Sequence, residues 1–141
     1  MAPLHILKLS VGTRSVADLR RWQARKDLRA SSGAPRHVTR MWPRREAEIL
    51  AGGSIYWVIQ GAVLARQRIA GFEEVRRADG IRRCGLILDP ALIPVEPLPR
   101  RPFQGWRYLA PEDAPPDLAE GAAAEALPPA LAAALAEIGV R

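Results

Sequence analysis

The run Ser54-Ile55-Tyr56-Trp57-Val58-Ile59-Gln60 constrains this chain more than any other stretch. Its five central residues are all strong strand formers. Successive side chains on a strand leave opposite faces, so an unbroken apolar run needs cover on both. The run is therefore expected to be a central strand with Trp57 in the core. The sequence around it follows in order. Pro43 suits the first turn of a helix running from Arg44 to Leu50, and Gly52 or Gly53 can close it. Gly61 breaks or bulges the chain after the central strand. Ala62 to Ile69 then alternates, with Val63, Ala65, Gln67 and Ile69 on one side and Leu64, Arg66 and Arg68 on the other. Phe72 to Arg77 continues as strand. Asp79-Gly80 signals a tight hairpin to Ile81–Leu88, which gathers Arg76, Arg77, Arg82 and Arg83 around one turn.

The flanks are weaker. Leu4 to Val11 reads as a strand interrupted by His5 and Lys8. Ser15 with Asp18 three residues later fits a capping-box start for a helix from Val16 to about Arg29, with Val16, Leu19 and Trp22 on one face. Residues 30–36 form a loop, and His37 to Met41 a short strand. Four prolines between 92 and 102 make that stretch an extended surface segment. Phe103 to Leu109 is a last aromatic strand or turn. Residues 110–127 read as an acidic linker rich in proline and alanine, and 128–141 as a C-terminal helix opened by Pro128. The expected architecture is α+β: a basic domain at 1–109 with its core at 37–109, a small mixed or antiparallel sheet, two or three packed helices and a helical tail.

Charge divides the chain at the same place. Up to Leu109 there are 20 Lys and Arg against 9 Asp and Glu; from Ala110 onward there is 1 against 6. A basic body with an acidic tail suits a polyanionic partner. A GC-rich genome, which favours arginine over lysine, explains the same count. No apolar run approaches the ~18 residues of a membrane span, and the N-terminal stretch lacks the pattern of a signal peptide. The lone Cys84 fits a reducing compartment. A cytoplasmic protein is expected.

Catalytic patterns are missing. Gly52-Gly53 precedes a strand, the wrong order for a phosphate-binding loop. No second ligand stands at metal spacing from His37, which is therefore given a structural role. Cys84 lies within a strand and reads as a buried, inert thiol. Glu73 and Glu74 are adjacent on a strand and point apart. No catalytic residue, metal or cofactor is assigned. What remains is arginine interleaved with aromatics. Arginine forks onto phosphate, and an exposed indole stacks on a base for ~1–3 kcal/mol. The candidate nucleic-acid site is Arg40, Trp42, Arg66, Arg68, Arg82, Arg83, Arg100, Arg101, Trp106 and Arg107.

Four stretches carry a resemblance: His37–Met41, Gly53–Gly61, Arg66–Ile69 and Pro102–Leu109. Through them the chain resembles an uncharacterised, mainly alphaproteobacterial family, domain of unknown function 1489. More remotely, the order helix, glycine stop, strand, glycine, basic-faced strand and hairpin is similar to PUA-like barrels, including their ASCH branch. That likeness implies a curled barrel with a cleft for RNA or a modified base, near Arg40, Trp42, Arg66 and Arg68. The chain departs from the ASCH pattern after the helix, so the chemistry of that branch is not carried over. The resulting expectation is a non-catalytic binder of single-stranded or modified RNA. One alternative is a small nucleotide-directed hydrolase or nuclease using Thr39 and Glu74. Another is a protein-interaction module with no nucleic-acid ligand.

Overall fold

The computed structural model describes residues 3–25, 29–30 and 32–118. The rest of the expected linker, from 119, and the expected C-terminal helix lie outside the described residues. The strands are β1 (His5–Leu9), β2 (Arg36–Thr39), β3 (Ser54–Ile59), β4 (Ala62–Arg76), β5 (Arg82–Leu88), β6 (Ile93–Pro99) and β7 (Trp106–Leu109); the helices are α1 (Val16–Gln23) and α2 (Glu46–Leu50). They form one mixed seven-stranded sheet, in the order β2-β5-β4-β3-β1-β7, with β6 also paired to β4. Only the β1–β3 pair is parallel. The class is α+β as expected, but the sheet is not closed into a barrel: β2 and β7 stand at its two ends.

β3 is the central strand. All six of its residues are buried, and Trp57 is 3% exposed. Gln60 and Gly61 both take positive φ, the geometry of a two-residue hairpin that matches the twist of the flanking strands. At the other end, a Cβ on Gly53 would run into the carbonyl oxygens of Leu4 and Ile49. Glycine there lets α2 deliver the chain directly into the sheet beside the start of β1.

β4 binds the sheet together. One edge pairs with β3, while the other pairs with β6 over Ala62–Arg66 and with β5 over Ile69–Arg76. Its 15 residues take in both the alternating stretch and its continuation past Phe72. Register shifts fall between Val63 and Ala65 and between Ile69 and Gly71. The first overturns the expected alternation. An extra residue reverses the phase of a strand. Val63 therefore joins Leu7, Tyr56, Val58, Val95 and Leu109 in one core cluster. Ala65 and Ile69 join Ile6, Ile55, Trp57, Leu86 and Trp106 in the other.

Two flanking elements also differ. α1 is capped as expected, with Asp18 N–H donating to Ser15 Oγ (3.1 Å) and Arg14 N–H to Asp18 Oδ2 (3.0 Å). It ends at Gln23 instead of near Arg29, because the chain turns back and Arg29 bridges Pro35. The stretch 110–118, expected as linker, is folded onto the sheet. Glu96 N–H donates to Pro116 O (2.9 Å) and Leu118 N–H to Pro94 O (3.0 Å), so it lies along the outer edge of β6. The proline-rich β6 can hold this place because its prolines supply carbonyl acceptors without needing an N–H partner.

Candidate functional site

The ten sequence-predicted residues do not meet in one cleft. Trp106 is a core residue, 8% exposed, whose indole N–H donates to Met41 O (2.9 Å). Trp42 is half-buried against Phe72, and the Arg82 guanidinium already lies over its ring at 4.3 Å. Arg82 and Arg76 both bond Glu74, and these bonds hold the Glu74 carboxyl below its usual range. Arg83 forks onto Asp79 (2.9 and 2.7 Å). Three of the four arginines at the hairpin, Arg76, Arg82 and Arg83, therefore carry their own counter-charges. Arg66 forks onto Asp117 (2.7 and 2.8 Å) and donates to Ser54 Oγ (3.0 Å). It fixes the 110–118 stretch in place. Arg40 and Arg68 are exposed and form no ion pair among the described residues. Thr39 and Glu74 lie on β2 and β4, either side of Cys84 on β5. Burial pushes the Cys84 thiol up to about 12, so it is inert as expected.

Three of the ten do converge. Arg100, Arg101 and Arg107 line a groove of about 660 Å³ between the end of β6 and β7, with Phe103 and Tyr108 as its aromatic members. The Arg107 guanidinium lies 4.8 Å over the Phe103 ring, and the Tyr108 ring is partly exposed with Arg45 above it at 5.6 Å. None of the three arginines has a salt bridge among the described residues, and Arg100 Nε is buried without a hydrogen-bond partner. Asp113 is the single carboxylate in the lining. Among the described residues, three arginines here face one carboxylate and none of them is ion-paired, unlike Arg76, Arg82 and Arg83 at the hairpin. The proline segment 97–102 positions Arg100 and Arg101 by ending β6, and Arg100 N–H donates to Gly61 O (2.9 Å).

A second pocket, of about 250 Å³, escaped the sequence reading. It lies where α1, the end of β1 and β2 meet, and its lining includes Lys8, Trp22, Gln23, His37, Trp57 and Arg77. Trp22 was expected to share the buried face of α1. Instead it is 53% exposed, with Arg25 over its ring at 4.7 Å. His37 stands edge-on to Trp57 (centroids 5.2 Å apart), its Nε2 shut off from solvent without a partner. Burial, helped by the Lys8 charge, holds His37 down to about 4, so the ring is neutral at pH 7. Burial also lowers Lys8.

A buried amide hub fixes this pocket's wall. Gln67 is 0% exposed. Its Oε1 accepts from Trp57 Nε1 (3.2 Å) and Gln23 Nε2 (2.8 Å), and its Nε2 donates to Gln23 Oε1 and Asp89 O (both 2.8 Å). Every donor and acceptor of the amide is used. The one signal in the sequence was a glutamine alternating with Ala65 and Ile69 on an apolar face. Among the described residues no group of three His, Cys, Asp or Glu side chains is placed to hold a metal, and no helix is long and apolar enough to cross a membrane.

One family model, with the description protein of unknown function (DUF1489), matches residues 6–141. No curated protein and no solved structure matches the chain.

Proposed function

This chain belongs to the DUF1489 family, and we propose that it is a non-catalytic binder of single-stranded RNA acting through the groove between β6 and β7. The observation that supports this most is the convergence of Arg100, Arg101 and Arg107 on one groove, with no salt-bridge partner among the described residues, beside Phe103 and Tyr108. Arginines already forked onto carboxylates must break those pairs before meeting phosphate. These three need not. An aromatic floor between cations is the arrangement that takes a strand by its backbone and stacks its bases. The excess of cations up to Leu109 adds long-range attraction for a polyanion. On this reading the sheet is an open relative of the PUA-like barrels, supported by the order helix, glycine, strand, glycine and basic strand. The protein would then work on RNA in the bacterial cytoplasm.

The test is fluorescence anisotropy of a labelled single-stranded RNA against salt. Each phosphate contact to a single strand contributes ~0.7 to the log–log slope. Three arginines therefore predict a slope of about −2, and Arg100→Glu with Arg101→Glu should weaken binding at least tenfold with the melting temperature little moved. Salt-independent binding, or equal binding by the double variant, refutes the reading.

A further inference from the structure

The pocket between α1, β1 and β2 has a chemistry of its own and shares no lining residue with the RNA groove. Among the described residues no carboxylate lines it. Lys8 is half-buried in its wall, and among the described residues its Nζ has one bond, to Leu9 O (3.2 Å). A charge drawn out of water is costly without an opposite charge beside it. Among the described residues Lys8 has no salt bridge; of the other two cations in the lining, Arg36 pairs with Glu73 (3.3 Å) and Arg77 has no salt bridge among the described residues. The missing counter-charge points to an anion from outside. The lining also holds three aromatic rings, Trp57, neutral His37 and the partly exposed Trp22, among aliphatic and hydroxyl side chains. At about 250 Å³ the space lies just below the ~300–1,000 Å³ typical of pockets for drug-sized ligands. It suits one planar ring with a short charged group, not an extended cofactor. Gln23, locked to Gln67, holds the end of α1 against the sheet, so the wall is set before any ligand arrives.

We propose that this pocket binds a nucleoside monophosphate unit, its phosphate meeting Lys8 and Arg77 and its base stacking on Trp22. The same chemistry is offered by a free nucleotide and by the phosphorylated end of an RNA strand. The two are separated by the ligands tested, and the site stands apart from the RNA groove.

The full-length protein is titrated by calorimetry with AMP, GMP, CMP and UMP. The matching nucleosides, inorganic phosphate and short RNA strands with and without a terminal phosphate follow. At least one nucleoside monophosphate, or the phosphorylated strand end, should bind saturably and at least tenfold more tightly than its unphosphorylated counterpart or inorganic phosphate. Saturation by the free nucleotide identifies a small-molecule site; saturation only by the phosphorylated strand identifies an RNA end. Lys8→Gln should remove the preference for phosphate, and Trp22→Ala should weaken binding at least tenfold. Both positions tolerate change, since Lys8 has no ion pair among the described residues and Trp22 is 53% exposed. Arg100→Glu with Arg101→Glu should leave nucleotide binding intact, so loss of RNA binding in the groove does not touch this site. The proposal is overturned by no saturable binding at millimolar concentration. It is equally overturned by binding unchanged in Lys8→Gln, or by binding lost in the groove variant.

Discussion

Gln67 is the most informative residue to change. Gln67→Leu keeps a side chain of similar size at a site that is 0% exposed, and removes four hydrogen bonds at once. The partners lose unequally. The Trp57 indole N–H is enclosed in the core and has nowhere else to turn, which costs ~1–3 kcal/mol for a buried donor left unpaired. Asp89 is exposed, so its carbonyl can find water, and that loss is nearer the ~1 kcal/mol of an ordinary bond. Gln23 is half-buried and can swing toward solvent. The extra apolar surface of leucine offsets a little of this. A net loss of ~2–4 kcal/mol follows, which at this chain length lowers the melting temperature by roughly 6–15 °C. Urea unfolding should show a lower midpoint with an unchanged slope. The orphaned indole N–H can be isolated by a cycle with Trp57→Phe. If it is the main cost, the loss in the double variant should fall at least ~1 kcal/mol short of the sum of the two single losses. A loss below ~1 kcal/mol in Gln67→Leu, or strict additivity with Trp57→Phe, would refute the hub. The same variant should loosen the end of α1 and so weaken nucleotide binding in the pocket that Gln23 lines.

Two further outcomes follow from charge. His37 is held down to about 4 by burial and then by Lys8, while the unfolded ring titrates at 6.5. Between those values the unfolded chain binds more protons, so stability is full above 6.5 and falls as pH drops toward 4. His5, lowered by burial and Arg66, acts with the same sign. His37→Gln should flatten the dependence of the urea midpoint on pH across this window, and an unaltered slope would show that His37 is not the buried neutral group described. Arg66→Gln should release the 110–118 stretch while moving global stability by no more than ~1 kcal/mol, since the pair is partly exposed. Hydrogen exchange at the Glu96 and Leu118 amides is the readout. In the unaltered protein the Arg66 hydrogen bond holds the Asp117 carboxyl below its usual 3.8, so the latch is intact above that pH and weakens as pH falls below it. Amide protection that survives Arg66→Gln would mean the backbone bonds alone hold the stretch.

The sequence by itself determined the centre of this protein. Ile55–Ile59 is an unbroken run of strand-forming apolar and aromatic residues, and only a strand flanked on both edges and covered on both faces can satisfy that, so β3 lies between β1 and β4 with Trp57 in the core. The cap at Ser15, the break at Gly61 and the inert Cys84 were equally local matters, decided by backbone geometry or by position in a strand. The site was not local. Whether an arginine is available depends on which carboxylate reaches it through space, and Arg66 meets Asp117 51 positions away, while Arg82 meets Glu74 across a hairpin. Nothing in the run of residues distinguishes those from Arg100, Arg101 and Arg107. The bulge at Leu64 was invisible for a related reason: one extra residue in a ladder reverses every face after it, and the partner strands set where it falls. Trp22 and Trp106 exchanged their expected places because an indole's exposure depends on what the rest of the chain brings against it. β7 lies against β1 and buries Trp106, whereas α1 ends after Gln23 and leaves Trp22 partly exposed at the mouth of a pocket that three separate elements build.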